Sequence, residues 1–159
     1  MLLDTTSRMY FLKTGSGTTY DPVGIYSEDL EQDFGTQEKT SHYVYQKGSV
    51  SVVTGYEKAV SVDTLVDSTD PVYVFVSSLV KGNKTLDACK AEIVVADMWT
   101  LAAGKAEARK YSCTIVPGKD KNSASDGFSI TYEIKFNGDP TQGTVAVDAS
   151  LKATFTANP

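Results

Sequence analysis

The chain has 159 residues, the size of a single domain and long enough to bury a substantial core. Hydrophobic residues make up 41% and charged residues 22%, which argues against a globally disordered chain. A formal charge of −5 and a pI near 4.8 argue against a general nucleic-acid binder, which needs cationic surface to displace counterions.

Seventeen Val and eighteen Thr stand against nine Leu. Side chains branched at Cβ are stiff and fit a pleated surface, so this bias predicts a mainly β protein. In chain order, strands are predicted at Met9–Lys13, Val23–Tyr26 and Ser49–Thr54. Further strands are predicted at Ala59–Val66, Lys90–Trp99 and Arg109–Val116. Gly15-Ser16-Gly17 and Thr54-Gly55 supply turns between them. Residues 27–48 lack sustained periodicity and are predicted to be a long loop that opens with Glu28, Asp29, Glu31 and Asp33. A loop that long inside a compact domain is usually functional or disordered. One helix is predicted over residues 71–80: Asp70 caps it, Pro71 suits its first turn, and Val72, Phe75, Val76, Leu79 and Val80 follow helical spacing. Gly82 would end it. The branched Val72, Val74, Val76 and Val80 keep a strand open as the alternative. Trp99–Glu107 reads as a strand connection and Lys119–Asp126 as a polar loop. In Phe128–Phe136 every even position is large and apolar and every odd one polar, the pattern of a half-buried strand. Asn137–Gly143 is rich in turn formers, and Val145–Phe155 alternates again, so the last third is predicted to be a hairpin with a long tip.

The chemistry-bearing residues are few. A Ser-His-Asp or Cys-His site would have to use the single histidine, His42, and no motif accompanies any nucleophile. Three His and Cys residues set far apart do not make a zinc site. The run Asp29–Asp33 fails as a calcium loop, because Phe34 and Thr40 stand where glycine and the bidentate glutamate are required. Gly15-Ser16-Gly17 lacks the rest of a dinucleotide fingerprint. No enzyme, cofactor or metal is therefore expected. Cys89 and Cys113 read as buried free thiols. Asp4 interrupts any apolar leader, and no apolar run approaches the ~18 residues of a bilayer span, so a chain kept in the cytosol is expected and no membrane partner. Asn83-Lys84-Thr85 is taken as a chance sequon.

Several motifs, in order, resemble the major tail proteins of siphophages. Tyr10-Phe11-Leu12-Lys13-Thr14-Gly15 fits that family's first strand, and Thr54–Val62 its central strand entry. Asp70-Pro71-Val72-Tyr73 opening a helix, then Val94–Trp99 and Phe128–Val145, continue the series across nearly the whole chain. The resemblance implies one tail-tube domain over residues 1–159: an antiparallel β-sandwich or barrel with one flanking helix. It implies self-association into rings, six-membered in the family, that stack into a tube. Four strands of each subunit would join an inner barrel through which genomic DNA passes without specific binding. Tail-tip, tape-measure and tail-terminator proteins are the partners it implies, and a virion tail assembled in the host cytoplasm the location. The long loop typically reaches a neighbouring ring, which would involve Tyr43 and Tyr45. The acidic Glu28, Asp29, Glu31 and Asp33 are expected to meet Lys105, Arg109, Lys110 or Lys119 of an adjacent subunit. A tube from a contractile or secretion machine, and a monomeric binding module using Tyr43, Tyr45 and Tyr56, are the alternatives.

Overall fold

The computed structural model describes residues 1–159. Strands β1 (Arg8–Leu12), β2 (Thr19–Pro22), β3 (Leu30–Asp33), β4 (Gln37–Ser41), β5 (Val50–Gly55) and β6 (Ala59–Leu65) precede the helix α1 (Pro71–Lys81). Strands β7 (Lys90–Ala102), β8 (Lys105–Ser123), β9 (Gly127–Val147) and β10 (Ala153–Ala157) follow it. The fold is mainly β with one helix, as the sequence predicts.

The two longest strands, β8 and β9, pair with each other along their whole length and serve two sheets. Their lower halves close a six-stranded barrel in the order β1, β7, β8, β9, β10, β2 and back to β1. Their upper halves continue beyond the barrel, where β6 pairs with Ser129–Lys135 of β9 and β3 pairs with β6. Small side chains make the narrow barrel possible: Ala96, Ala106, Ala108 and Ala153 pack with Phe11, Tyr20, Val94 and Val145 inside it. Eight strands already leave an interior just wide enough to fill, so six favour alanine. The opposite face of the same sheet carries the larger core, with Leu12, Val60, Ile93, Ile115, Tyr132 and Ile134 among its sixteen buried residues.

Helix α1 covers that second core through Val72, Val76 and Leu79, each worth about 1.5–3 kcal/mol of apolar burial. The Val72 N–H donates to Asp70 Oδ1 at 3.0 Å, so the predicted cap is formed. Gly82 ends the helix as its C-cap, as expected. Asn83, with φ of +47°, takes the left-handed position, while the Lys84 N–H reaches Leu79 O and the Asn83 N–H reaches Val80 O. This is a Schellman ending with Asn in the place glycine most often holds. Val80 faces solvent rather than the core.

Four predicted loops and strands are corrected. The early strand lies at Thr19–Pro22, not Val23–Tyr26, because Gly24 at φ +72° turns the chain there. The long loop of residues 27–48 contains β3 and β4. β3 has four residues, too short for a period to show, and β4 alternates polar with polar because both its faces are exposed. Lys119–Asp126 is mostly strand for the same reason, with the turn confined to Ala124–Asp126. Asn137–Gly143 is no hairpin tip. It lies inside β9, where Gly138, Asp139 and Pro140 bulge opposite the single residue Tyr111 between the pairs Ser112↔Asn137 and Lys110↔Thr141. Turn formers there bend a strand, at the junction of barrel and open sheet. A second bulge sets Gly118 and Lys119 against Thr131.

Gly143 is buried where β9 passes β10, and a Cβ there would stand 2.3 Å from Thr156 O and 2.5 Å from Phe155 Cζ. Gly143→Ala should therefore destabilise the fold by roughly 1–3 kcal/mol, read as a lowered denaturation midpoint. Asp70 is buried, and desolvation holds its carboxyl above the usual value of 3.8. A raised folded pKa means that the unfolded chain releases its proton first, so stability drains away as pH rises above about 3.8. Asp70→Asn keeps a good cap and lacks that drain. Wild type should lose stability relative to the variant as pH climbs from 3 towards neutrality (about pH 3 to 7), measured by denaturant titrations at each pH.

Candidate assembly surfaces

Three surfaces stand out from the packed body: an acidic face, two open strand edges and a protruding arm. The face belongs to the sheet β3-β6-β9-β8. One side of it is the core under α1; the other carries the polar alternates of each strand. Registers Glu31↔Ser61↔Glu133↔Val116 place these residues in one row across the sheet. The row Asp33↔Ala59↔Lys135↔Thr114 lies beside it. Asp29 and Asp63 line the same face around a shallow cleft of about 410 Å3. Five carboxylates (Asp29, Glu31, Asp33, Asp63, Glu133) thus share a face with Lys135 and, near the β8–β9 turn, Lys121.

The same sheet ends in two unpaired edges. β3 pairs with β6 and with nothing on its other side. β8 pairs with β7 only up to Thr114, so beyond it the strand has a partner on the β9 side alone. The acidic edge is β3 and its lead-in; the basic edge carries Lys119 and Lys121. Exposed unpaired edges are templates for a further strand.

The arm is the hairpin β4–β5, whose strands pair only with each other. Its root is pinned: Gly35 (φ +52°) approaches so closely that a Cβ would lie 2.2 Å from Glu57 O, and the Glu57 N–H donates to Phe34 O and Gly35 O. At the tip Tyr43, Val44 and Tyr45 are exposed, Tyr45 by 99%. Val50, Val52, Val53 and Tyr56 are exposed along it. A lone two-stranded hairpin is marginal in water, so this apolar surface is unprotected in the isolated chain.

The residues expected to form contacts are scattered. Glu28 and Asp29 precede β3, and Glu31 and Asp33 lie on it, so the acidic run is an edge strand rather than a free loop. Lys105 opens β8 at the far end from the open edge. Arg109 is engaged within its own chain: its guanidinium lies 3.0 Å from Asp97 Oδ2, while Arg8 Nε donates to Asp97 Oδ1 at 2.8 Å. Lys110 lies over the Phe155 ring at 5.5 Å. Lys119 alone of the four stands on the open edge, its backbone N–H donating to Thr131 Oγ1 at 3.1 Å. Sequence reasoning left Lys121 out of the contact set and missed Asp63 and Glu133. The last two are polar alternates in Val-Ser-Val-Asp and Tyr-Glu-Ile, where the period-two rule already puts them on the wet face. Asp97 also went unremarked, though a lone carboxylate inside Val-Val-Ala-Asp-Met announces a buried ion partner. Cys113 is buried and its thiol is pushed up to about 12 by that burial, leaving Cys89 as the half-exposed thiol.

No protein-family model matches the sequence, and no curated protein does. Among solved structures, a chain in the tail of an empty GTA particle, determined by helical refinement with C6 symmetry, superposes at a TM-score of 0.58. It is 12% identical, and the match covers 98% of this chain and 100% of that one. This chain has the fold of that tail subunit. A chain of the anti-feeding prophage baseplate, 6-fold symmetrised, gives a TM-score of 0.49 at 8% identity, covering 89% of this chain and 97% of that one. The likeness to the GTA tail chain runs end to end while nearly every residue differs, so pattern and packing hold the fold.

Within that fold the Arg8–Asp97–Arg109 cluster is the one carboxylate bridging two arginines. Asp97→Ala should cost about 2–4 kcal/mol, less than the ~3–5 of fully buried pairs because both guanidiniums reach solvent. Asp97→Asn, which keeps shape and an acceptor, should cost less; urea denaturation of the two variants checks the order.

Proposed function

We propose that the chain is a structural subunit of a phage-type tail, polymerising as stacked rings into a hollow tube. The observation that carries this reading is the pair of open, oppositely charged edges on one four-stranded sheet with a bare acidic face. Successive strands β3, β6, β9 and β8 alternate in direction, so β3 of a second copy enters antiparallel beside β8. Such a head-to-tail contact repeats until it closes as a ring. Glu31 and Asp33, with Glu28 and Asp29 at their side, would then meet Lys119 and Lys121 across the joint. The six-fold symmetry of the similar tail supports rings of six.

Closing the ring turns the acidic face inward. A wall carrying Asp29, Glu31, Asp33, Asp63 and Glu133 repels phosphate, so DNA passes without being held. The arm suits contact between rings, and the tip, tape-measure and terminator proteins of a tail would set the length of the stack. A long non-contractile phage tail is the reading we favour, with assembly in the host cytoplasm and residence in the virion. The tyrosines of the alternative binding module, Tyr43, Tyr45 and Tyr56, stand on a protruding arm instead of a concave face.

Negative-stain electron microscopy with light scattering on concentrated protein tests the reading. Rings or tubes are expected. Glu31→Lys with Asp33→Lys, or Lys119→Glu with Lys121→Glu, should each raise the assembly concentration about tenfold, roughly 1.4 kcal/mol per joint. Reversing both sides together should restore assembly. Small particles that persist after concentration and seeding with tail-tip complexes would defeat the proposal.

A further inference from the structure

A groove of about 300 Å3 runs between α1 and the β8 bulge at Gly118 and Lys119, with Tyr73, Ser77, Val80, Pro117, Phe128 and Ile130 along it. Lys81, Lys119 and Asp120 stand at its rim. We propose that this groove receives the arm tip, Tyr43-Val44-Tyr45, of a second copy in the next layer. The inference rests on the stacking reading above and adds the receptor that reading lacks.

Three observations support it. The first is need. The tip presents two tyrosines and a valine with no partner in their own chain, and buried aromatic anchors are what dominate an interface. The second is chemistry. The groove offers apolar walls, and the Lys81 ammonium at its rim suits a tyrosine ring or hydroxyl. The tip's neighbouring cation, Lys47, suits the Asp120 carboxylate. The third is position. The arm leaves the sheet at the pair Asp33↔Ala59, the end of the β3–β6 ribbon remote from the β8–β9 turn. The groove lies at the other end, where Asp120 pairs with Ile130 and Asn122 with Phe128. A projecting group at one end and its receptor at the other make a contact that cannot close on itself in a pair of copies and continues as an open stack. Arm strands of five and six residues reach about 17–20 Å at ~3.3 Å per residue, enough to cross to another copy.

The test is cross-linking in assembled particles of the full chain. In a Cys89→Ser background, with Cys113 buried and unreactive, protein bearing Tyr45→Cys is mixed with protein bearing Ser77→Cys and oxidised mildly after assembly. A second receptor variant, Lys81→Cys, guards against a Ser77→Cys chain that folds poorly. Disulfide-linked dimers between tip and groove variants are expected, at least tenfold above the link between Tyr45→Cys and Leu3→Cys. Leu3 lines a separate cleft of about 720 Å3 beside the N-terminal segment. Tubes that form with no tip-to-groove link, or with the tip linked to Leu3→Cys, would overturn this inference and leave the tube reading standing. A failure of every variant and of wild type to assemble would overturn both.

Discussion

Everything in this molecule hangs on the β8–β9 ribbon. The two strands hydrogen-bond from Ala106↔Val145 to Ser123↔Gly127, and each end of the ribbon belongs to a different structure. The lower end is a wall of a closed barrel, packed with alanines and lacking any edge. The upper end is an open sheet with two edges and one wet face. A closed barrel is a stable platform because every strand has two neighbours; an open sheet is sticky for the opposite reason. Sharing two strands lets the platform hold the sticky sheet in place. The three-residue bulge opposite Tyr111 lies where one regime gives way to the other, and it is there that β9 changes partner from β6 to β10.

The cores follow the same division. The barrel interior is small because six strands leave little room, so it is lined by Ala, Val and single aromatics. The larger core lies outside the barrel wall and needs a lid, which α1 supplies with Val72, Val76 and Leu79. At the margin of that core the residues turn ionic: Tyr10↔Val95↔Arg109 is followed by Arg8↔Asp97↔Glu107. Asp97 is buried and met by two arginines, so the charge at this margin is neutralised inside the subunit. The charges on the β3 and upper β8 edges have no such partners and are the ones left for other molecules.

What could be read from the sequence depended on whether a segment has one dry face. Phe128–Phe136 and Ala59–Val66 each bury alternate side chains, and their period showed; Met9–Lys13 showed instead as an apolar run, because Tyr10 and Leu12 enter one core and Phe11 the other. The helix was legible from Asp70-Pro71 and the spacing of Val72, Val76 and Leu79. Segments wet on both sides carry no such signature. β4 and the far end of β8 are exposed all round, so these strands looked like loops. Turn formers misled in the opposite sense at Asn137–Gly143, where they bend a strand instead of ending it. For the assembly surfaces, the acidic run and the two tyrosines were visible as composition. The edge role of the acidic run depends on a pairing with β6 far along the chain, and the tyrosines' place at an arm tip depends on the local pairing of β4 with β5, two strands exposed on both faces. Arg109 counted as a free cation until Asp97, twelve residues earlier by number, proved to be its neighbour across the ladder.

The bulge at Gly118 and Lys119 has an arithmetic that matters more than its shape. Strand alternation has a period of two, so an insertion of one residue exchanges the two sides of everything that follows. Up to Pro117 the odd residues of β8 point to the core: Tyr111, Cys113, Ile115. After the extra residue the even ones do, with Asp120 opposite Ile130 and Asn122 opposite Phe128. Lys121 thereby lands among Ser129, Asp63 and Asp29 rather than beneath the helix. One added residue thus transposes a lysine from the dry side of the sheet to the wet one, and the polarity of the upper strand is set by parity.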